Sequence, residues 1–202
     1  AGRPERARRA VASPKRARIL VLSGPNLERL GQREPEIYGG QTLAEIHQGL
    51  ADLAPDLGVE VDCRQSNHEG QLIDWINRSD VEGFSGILLN PGALTHTSYA
   101  LYDSLRGIGV PAIEVHLSNP DAREAFRRRS RVAPACVAQV QQIQPDLELP
   151  QVAAFQFHGL RGNRQAFTLG RILQVTKLLL DLLKFGQDLP QSWKGLFAEV
   201  FR

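Results

Sequence analysis

LSGPNLERLGQREPEIYGG, residues 22–40, is the stretch on which the reading of this chain turns. An apolar run at 19–22 enters it, and a helix signal begins at Thr42, where it ends. Between them lie about 18 residues with little periodicity, where a strand-to-helix connection usually takes only a few. Loops of that length are more often functional than short ones. Gly24, Gly31, Gly39 and Gly40 permit unusual backbone angles and close approach to a ligand. The loop also carries a phenol, Tyr38, near a guanidinium, Arg33. A cation beside a tyrosine favours the phenolate. A surface loop with an aromatic plug accounts for the same residues equally well.

Outward from this loop, the chain alternates. Residues 18–23 (RILVLS) have the composition of a buried strand. Thr42 and Glu45 form a capping-box signature, followed by Leu43, Ile46, Leu50 and Leu53 at helical spacing. Val59, Val61 and Cys63 alternate with acids as a second strand, and Leu72, Ile73, Trp75 and Ile76 mark a second helix. A third strand is expected over 84–90, a third helix over 97–106 and a fourth strand over 112–115. Asn119 followed by Pro120 fits an N-cap with proline at the first helical position. Alternating strands and helices predict a parallel sheet with crossover helices, here a flavodoxin-like doubly wound α/β fold. The expected organisation is a basic tail over 1–17, a catalytic domain over 18–140 and a divergent, partly helical segment over 141–202.

Composition excludes several classes. The 202 residues are 42 % hydrophobic and 23 % charged, as in ordinary globular proteins. No run approaches the roughly 20 apolar residues of a membrane span. Cys63 and Cys136 lack CxxC or zinc spacing and suit a reducing compartment. The net charge of +2 conceals an asymmetry, because residues 1–18 carry seven basic groups against Glu5 alone. Such a segment reads as a solvated tail, a nucleic-acid arm or part of a transit peptide. The first residue is Ala rather than Met, so a missing or processed start is expected. Cytoplasmic localisation is expected, organellar import being the alternative that the tail leaves open.

In an open parallel sheet, ligands bind beyond the carboxyl ends of the strands. Polar clusters fall at all four expected ends: 24–26, 65–70, 90–98 and 114–119. Glu114 and His116 lie two apart on a strand and share a face, so the carboxylate can fix the imidazole tautomer. Such a pair alone serves equally as a structural ion pair. Asn90 and His96 flank a loop entering a helix, where turn formation and capping also explain them. Arg123 and Arg127, four apart, are expected to share a helical face and could hold a carboxylate, although a charge cluster is usually solvated. There is no GxxxxGK[ST] loop, no GxGxxG after the first strand and no GxSxG elbow. His68, His96, His116 and Glu114 could in principle bind a metal, but no recognised ligand spacing supports it.

The stretches GPNLERLGQREPEIYGG, RQSNHEGQLIDWI, LNPGALTHTS and IEVHLSNPDAREAFR, in that order over about residues 18–137, resemble type II 3-dehydroquinate dehydratase. The resemblance implies conversion of 3-dehydroquinate to 3-dehydroshikimate through an enolate, in the shikimate or quinate pathway, with no cofactor and no metal. It implies Tyr38 as the phenolate base, with Arg33 lowering its pKa. Asn26 would hold a water that stabilises the enolate. His116 would protonate the departing hydroxyl, with Glu114 orienting it. Asn90, His96, Leu117, Ser118, Arg123 and Arg127 would bind substrate, and Asp103 would reach a neighbouring subunit's site. A dodecamer, as a tetramer of trimers, is implied as the assembly, with no nucleic-acid or membrane partner.

Beyond about Val137 the resemblance ends. Residues 173–185 are apolar nearly all round, as in a buried or partner-facing helix. A catalytically silent homologue acting as a binding or scaffold protein is the alternative this segment suggests. The retained Tyr38, Arg33 and His116 weigh against it. A nucleic-acid role for residues 1–18 together with the Arg127–Arg129 run is weakened by the scarcity of aromatics near those basic groups. The four lysines, Lys15, Lys177, Lys184 and Lys194, all lie outside the motifs. A Schiff-base route to the same dehydration therefore lacks a nucleophile there.

Overall fold

The computed structural model describes residues 16–32, 40–142 and 153–157. Tyr38, Arg33 and the helix expected over 173–185 lie outside the described residues. Six strands form one sheet: β1 (Ala17–Ser23), β2 (Val59–Gln65), β3 (Gly86–Asn90), β4 (Ala112–His116), β5 (Ala138–Gln142) and β6 (Ala153–Phe157). Their spatial order is β2-β1-β3-β4-β5-β6. The first five run parallel, and β6 pairs antiparallel with β5. Three helices make the crossovers: α1 (Leu43–Leu53), α2 (Glu69–Arg78) and α3 (Tyr99–Gly107). This is the flavodoxin-like doubly wound architecture.

Period-two alternation divides the core into two layers. Ile19 and Val21 of β1, with Leu88, Ile113 and Val115, pack against Leu43, Ile46 and Leu50 of α1. Leu20 and Leu22, with Ile87 and Leu89, pack against Leu72 and Ile76 of α2 and Leu101 and Leu105 of α3. Each fully buried Leu or Ile contributes about 1.5–3 kcal/mol of transfer free energy. With both faces covered, the inner strands are apolar throughout, which explains why 19–22 and 87–89 show no polar alternation. The expected capping box closes α1: Thr42 Oγ1 accepts from Glu45 N at 3.2 Å, and Glu45 Oε2 accepts from Thr42 N at 2.8 Å. Ser98 caps α3 by accepting from Leu101 N at 2.8 Å.

Two features depart from the expectation. The sequence reading assigned strands only as far as residue 115, whereas β5 crosses the expected boundary at 140 and β6 lies beyond it. The signal for β5 was present in the alternation of buried Ala138 and Val140 with Gln139 and Gln141. Arg123 and Arg127 do not share one helical face. Pro120–Ala122 and Ala125–Arg128 are separate 3-10 turns, and Arg123 between them is extended. Asn119 does cap the first turn, its Oδ1 accepting from Asp121 N and Ala122 N. Among the described residues no helix is long and apolar enough to cross a membrane.

Candidate active site

The strand order reverses between β1 and β3, so the connections leaving them diverge to opposite faces and open a crevice. Two loops meet there backbone to backbone. Gly24 N donates to Asn90 O at 2.8 Å. A Cβ on Gly24 would lie 2.7 Å from the carbonyl of Pro91, and Gly92, at φ +57°, faces the Pro25 oxygen. Only glycine allows this approach at both points. Asn90 Oδ1 accepts from Gly92 N at 3.1 Å, fixing the second loop.

The resulting cleft has a volume of about 110 Å³. Loops after three strands line it: Asn26, Leu27 and Leu30 after β1, Asn90 and His96 at β3, and His116, Leu117, Ser118, Arg123 and Arg127 from β4 onward. Eight of the site residues implied by the resemblance, Leu117 and Ser118 among them, thus line the cleft, and a ninth, Glu114, lies directly behind His116. Asp103 does not line the cleft and is exposed on α3. The polar cluster after β2 is also outside it and acts as a support. Asn67 Oδ1 accepts from Asn26 N at 2.8 Å, while Asn67 Nδ2 and Gln65 Nε2 donate to Glu28. That bond helps hold Asn26 in its left-handed conformation, φ 67°.

Glu114 and His116 project from the same side of β4, with His116 Nε2 at 2.5 Å from Glu114 Oε1. Glu114 has no solvent exposure and His116 has 6 %. A buried carboxylate is costly unless its lone pairs are met. Three residues that sequence reasoning missed meet them. Thr95 Oγ1 donates to Oε1 at 2.5 Å, Ser130 Oγ to Oε2 at 3.0 Å, and Gln139 Nε2 to Oε1 at 3.4 Å. Gln139 is placed by register, since it stands opposite Glu114 on the neighbouring strand. Thr95 stands in the polar cluster at 90–98 without a role of its own and Ser130 carried no sequence signal, because what they do depends on a contact across 35 residues.

The rest of the cleft is cationic. Arg127 Nε donates to Glu124 at 2.7 Å and Arg123 Nε lies 3.5 Å from the same oxygen, so one carboxylate aims both guanidiniums. The Arg127 bond, first of all, holds Glu124 below the usual carboxylate value. His96 Nδ1 contacts Arg129 O at 3.0 Å, and Phe126 meets its ring edge-on. Burial pushes the His96 pKa down, and the charges of His116 and Arg127 act in the same direction. A neutral imidazole there can donate or accept without adding charge. Among the described residues no three His, Cys, Asp or Glu side chains gather to hold a metal ion.

A buried carboxylate–imidazole pair beside two arginines that contact one carboxylate, at the carboxyl edge of a doubly wound sheet, is an arrangement suited to acid–base chemistry on a small anion. Residues 17–146 match the family model for Dehydroquinase class II, and the chain belongs to that family. A 3-dehydroquinate dehydratase of Halalkalibacterium halodurans is 54 % identical over 122 residues, 60 % of this chain and 83 % of that protein. The crystal structure of a type II dehydroquinase from Butyrivibrio crossotus superposes with a TM-score of 0.63 at 35 % identity, covering 81 % of this chain and 97 % of that one. A type II dehydroquinase from Propionibacterium acnes gives 0.58 at 39 % identity, over 60 % and 83 % of the two chains.

Proposed function

We infer that this protein is a hydro-lyase that removes water from 3-dehydroquinate to give 3-dehydroshikimate, a step of the shikimate and quinate pathways. The observation that carries the reading is the buried Glu114–His116 pair in the same cleft as Arg123 and Arg127, in a chain of this family. Removing a proton next to a ketone requires a base, a stabiliser for the enolate and an acid for the leaving group. We assign the base to Tyr38 as phenolate, with Arg33 favouring its ionised form. The support for both is their place in the GPNLERLGQREPEIYGG motif. The proton leaves the carbon beside the carbonyl, and its electron pair becomes the enolate. A water held by Asn26 stabilises that charge. The enolate then collapses, expelling the β-hydroxyl, which takes a proton from His116 and departs as water.

Because Nε2 of His116 is committed to Glu114, Nδ1 is the nitrogen left for the leaving group. Arg123 and Arg127 would hold the substrate carboxylate, and Asn90, His96, Leu117 and Ser118 the remaining oxygens. Leu117 and Ser118 follow His116 directly beyond the end of β4 and line the cleft, which suits contact with substrate oxygens in part through their backbone N–H groups. The exposed position of Asp103 suits a contact with a neighbouring subunit, and we assign the assembly as a dodecamer of four trimers. Two free cysteines suit a cytoplasmic setting.

The test is direct. Purified protein given 3-dehydroquinate should produce the ultraviolet absorbance of a conjugated enone. No rise at any protein concentration would reject the activity. A single trimeric or monomeric species in light scattering would reject the dodecamer alone.

A further inference from the structure

Thr95 Oγ1, Ser130 Oγ and the Glu114 carboxylate lie pairwise within hydrogen-bond distance, at 2.5, 2.8 and 3.0 Å. Counting protons gives this triangle a direction. A serine hydroxyl has one proton and two acceptor sites. Ser130 Oγ already accepts from Val132 N at 3.0 Å and Ala133 N at 2.8 Å. Both of its acceptor sites are filled, so it can only donate. Thr95 therefore has no acceptor in Ser130 and must give its own proton to Glu114. Ser130 passes its proton to Glu114 directly or through Thr95. Arg131 N donates to Thr95 O at 2.7 Å, which ties the two segments together along the backbone.

Neither hydroxyl can take a proton from Glu114 and Gln139 presents an N–H, so His116 Nε2 is the one partner among these four that could accept it, and the three other donors favour the carboxylate over the acid. We propose that Thr95 and Ser130 are positioning residues that hold Glu114 as an oriented anion, so that His116 and not Glu114 keeps the proton used in catalysis. The proposal rests on the assignment of His116 as the acid. An anion oriented before the reaction needs no reorganisation as the hydroxyl leaves. With a hydroxyl removed, the buried carboxylate loses a donor and competes for the imidazole proton instead. His116 is then present less often in the protonated state that the step consumes. Neither hydroxyl touches substrate in this scheme, so binding is untouched.

The experiment is a double-mutant cycle on the full chain, with kcat and KM read on 3-dehydroquinate. Thr95→Val should lower kcat about 10–100-fold, the range for one charge-assisted hydrogen bond, with KM nearly unchanged. Thr95→Ser, which keeps the hydroxyl, should restore most of the rate. In a His116→Asn background, Thr95→Val should cost little more, because the proton it protects is gone. Thr95→Ala replaces Thr95→Val if the valine variant does not fold. A hydroxyl-free variant with normal kcat, while His116→Asn is slow, overturns this proposal and leaves the assignment of His116 standing. Equal losses in both backgrounds also overturn it, since they indicate a general structural defect. Full turnover in His116→Asn rejects the assignment of His116 and the proposal with it.

Discussion

Replacing Glu114 by Gln changes one oxygen into an amide nitrogen at constant volume. Four donors face the carboxylate: His116, Thr95, Ser130 and Gln139. The amide has one oxygen to accept and one NH₂ that can only donate. With its oxygen at the Oε1 position, three partners are retained and the NH₂ confronts Ser130 Oγ, whose acceptor sites are filled. The flipped amide is worse, since NH₂ then meets three donors. The better arrangement loses a charge-assisted hydrogen bond, about 1.5–3 kcal/mol, and strands a buried donor at about 1–3 kcal/mol. A total near 3–5 kcal/mol is a large share of the roughly 5–15 kcal/mol of a typical domain. At an m-value of about 2 kcal/mol/M, the urea midpoint should fall by about 1.5–2.5 M. Turnover should fall about 10²-fold or more, because the partner of the acid is lost. Urea titration and the enone assay on the same preparation measure both. An unchanged midpoint would refute the four-donor cradle, and a lowered midpoint with full turnover would make Glu114 purely structural.

Tyr38→Phe should abolish most turnover while leaving the melting temperature unchanged, since only the ionisable oxygen is removed; full activity in the folded variant rules Tyr38 out as the base. Gly24→Ala places a methyl 2.7 Å from the Pro91 carbonyl and should cost about 1–3 kcal/mol, raising KM as the clasp of the two loops opens. A crystal structure of that variant with the clasp intact would contradict this. Burial holds His47 and His96 below the ordinary imidazole value of 6.5, so the unfolded chain binds their protons more readily. Their contribution is whole above about pH 6.5 and is lost as pH falls from there toward the folded values. Urea midpoints at pH 7.5 and 5.5 should therefore differ less in His47→Gln than in the parent, and equal differences refute it. Borohydride added with substrate should leave no adduct by mass spectrometry, whereas a reduced adduct on any lysine would establish an iminium route.

Local pattern alone determined most of the fold. The apolar runs of β1 and β3, the capping box at Thr42 and Glu45, and the 3.6 spacing of α1 and α2 each report a short-range interaction, and short-range interactions repeat along a chain. The same holds for Glu114 and His116, which two-residue strand spacing places on one face. The motifs around Asn26, Asn90 and His116 were legible because the parallel topology delivers strand ends to a single edge. Tertiary structure decided the rest. Arg123 and Arg127 reach the cleft from two tight turns joined through Glu124, not from a helix face, because Arg123 is extended between them. Asn67 supports Asn26 from across 41 residues without entering the cleft. Gln139 meets Glu114 only through the pairing of β5 with β4, a register that no window of sequence contains. Thr95 stood out only as one polar residue of the 90–98 cluster, and Ser130 not at all. A buried charge must find its donors wherever the fold brings them, and those contacts have no period along the chain.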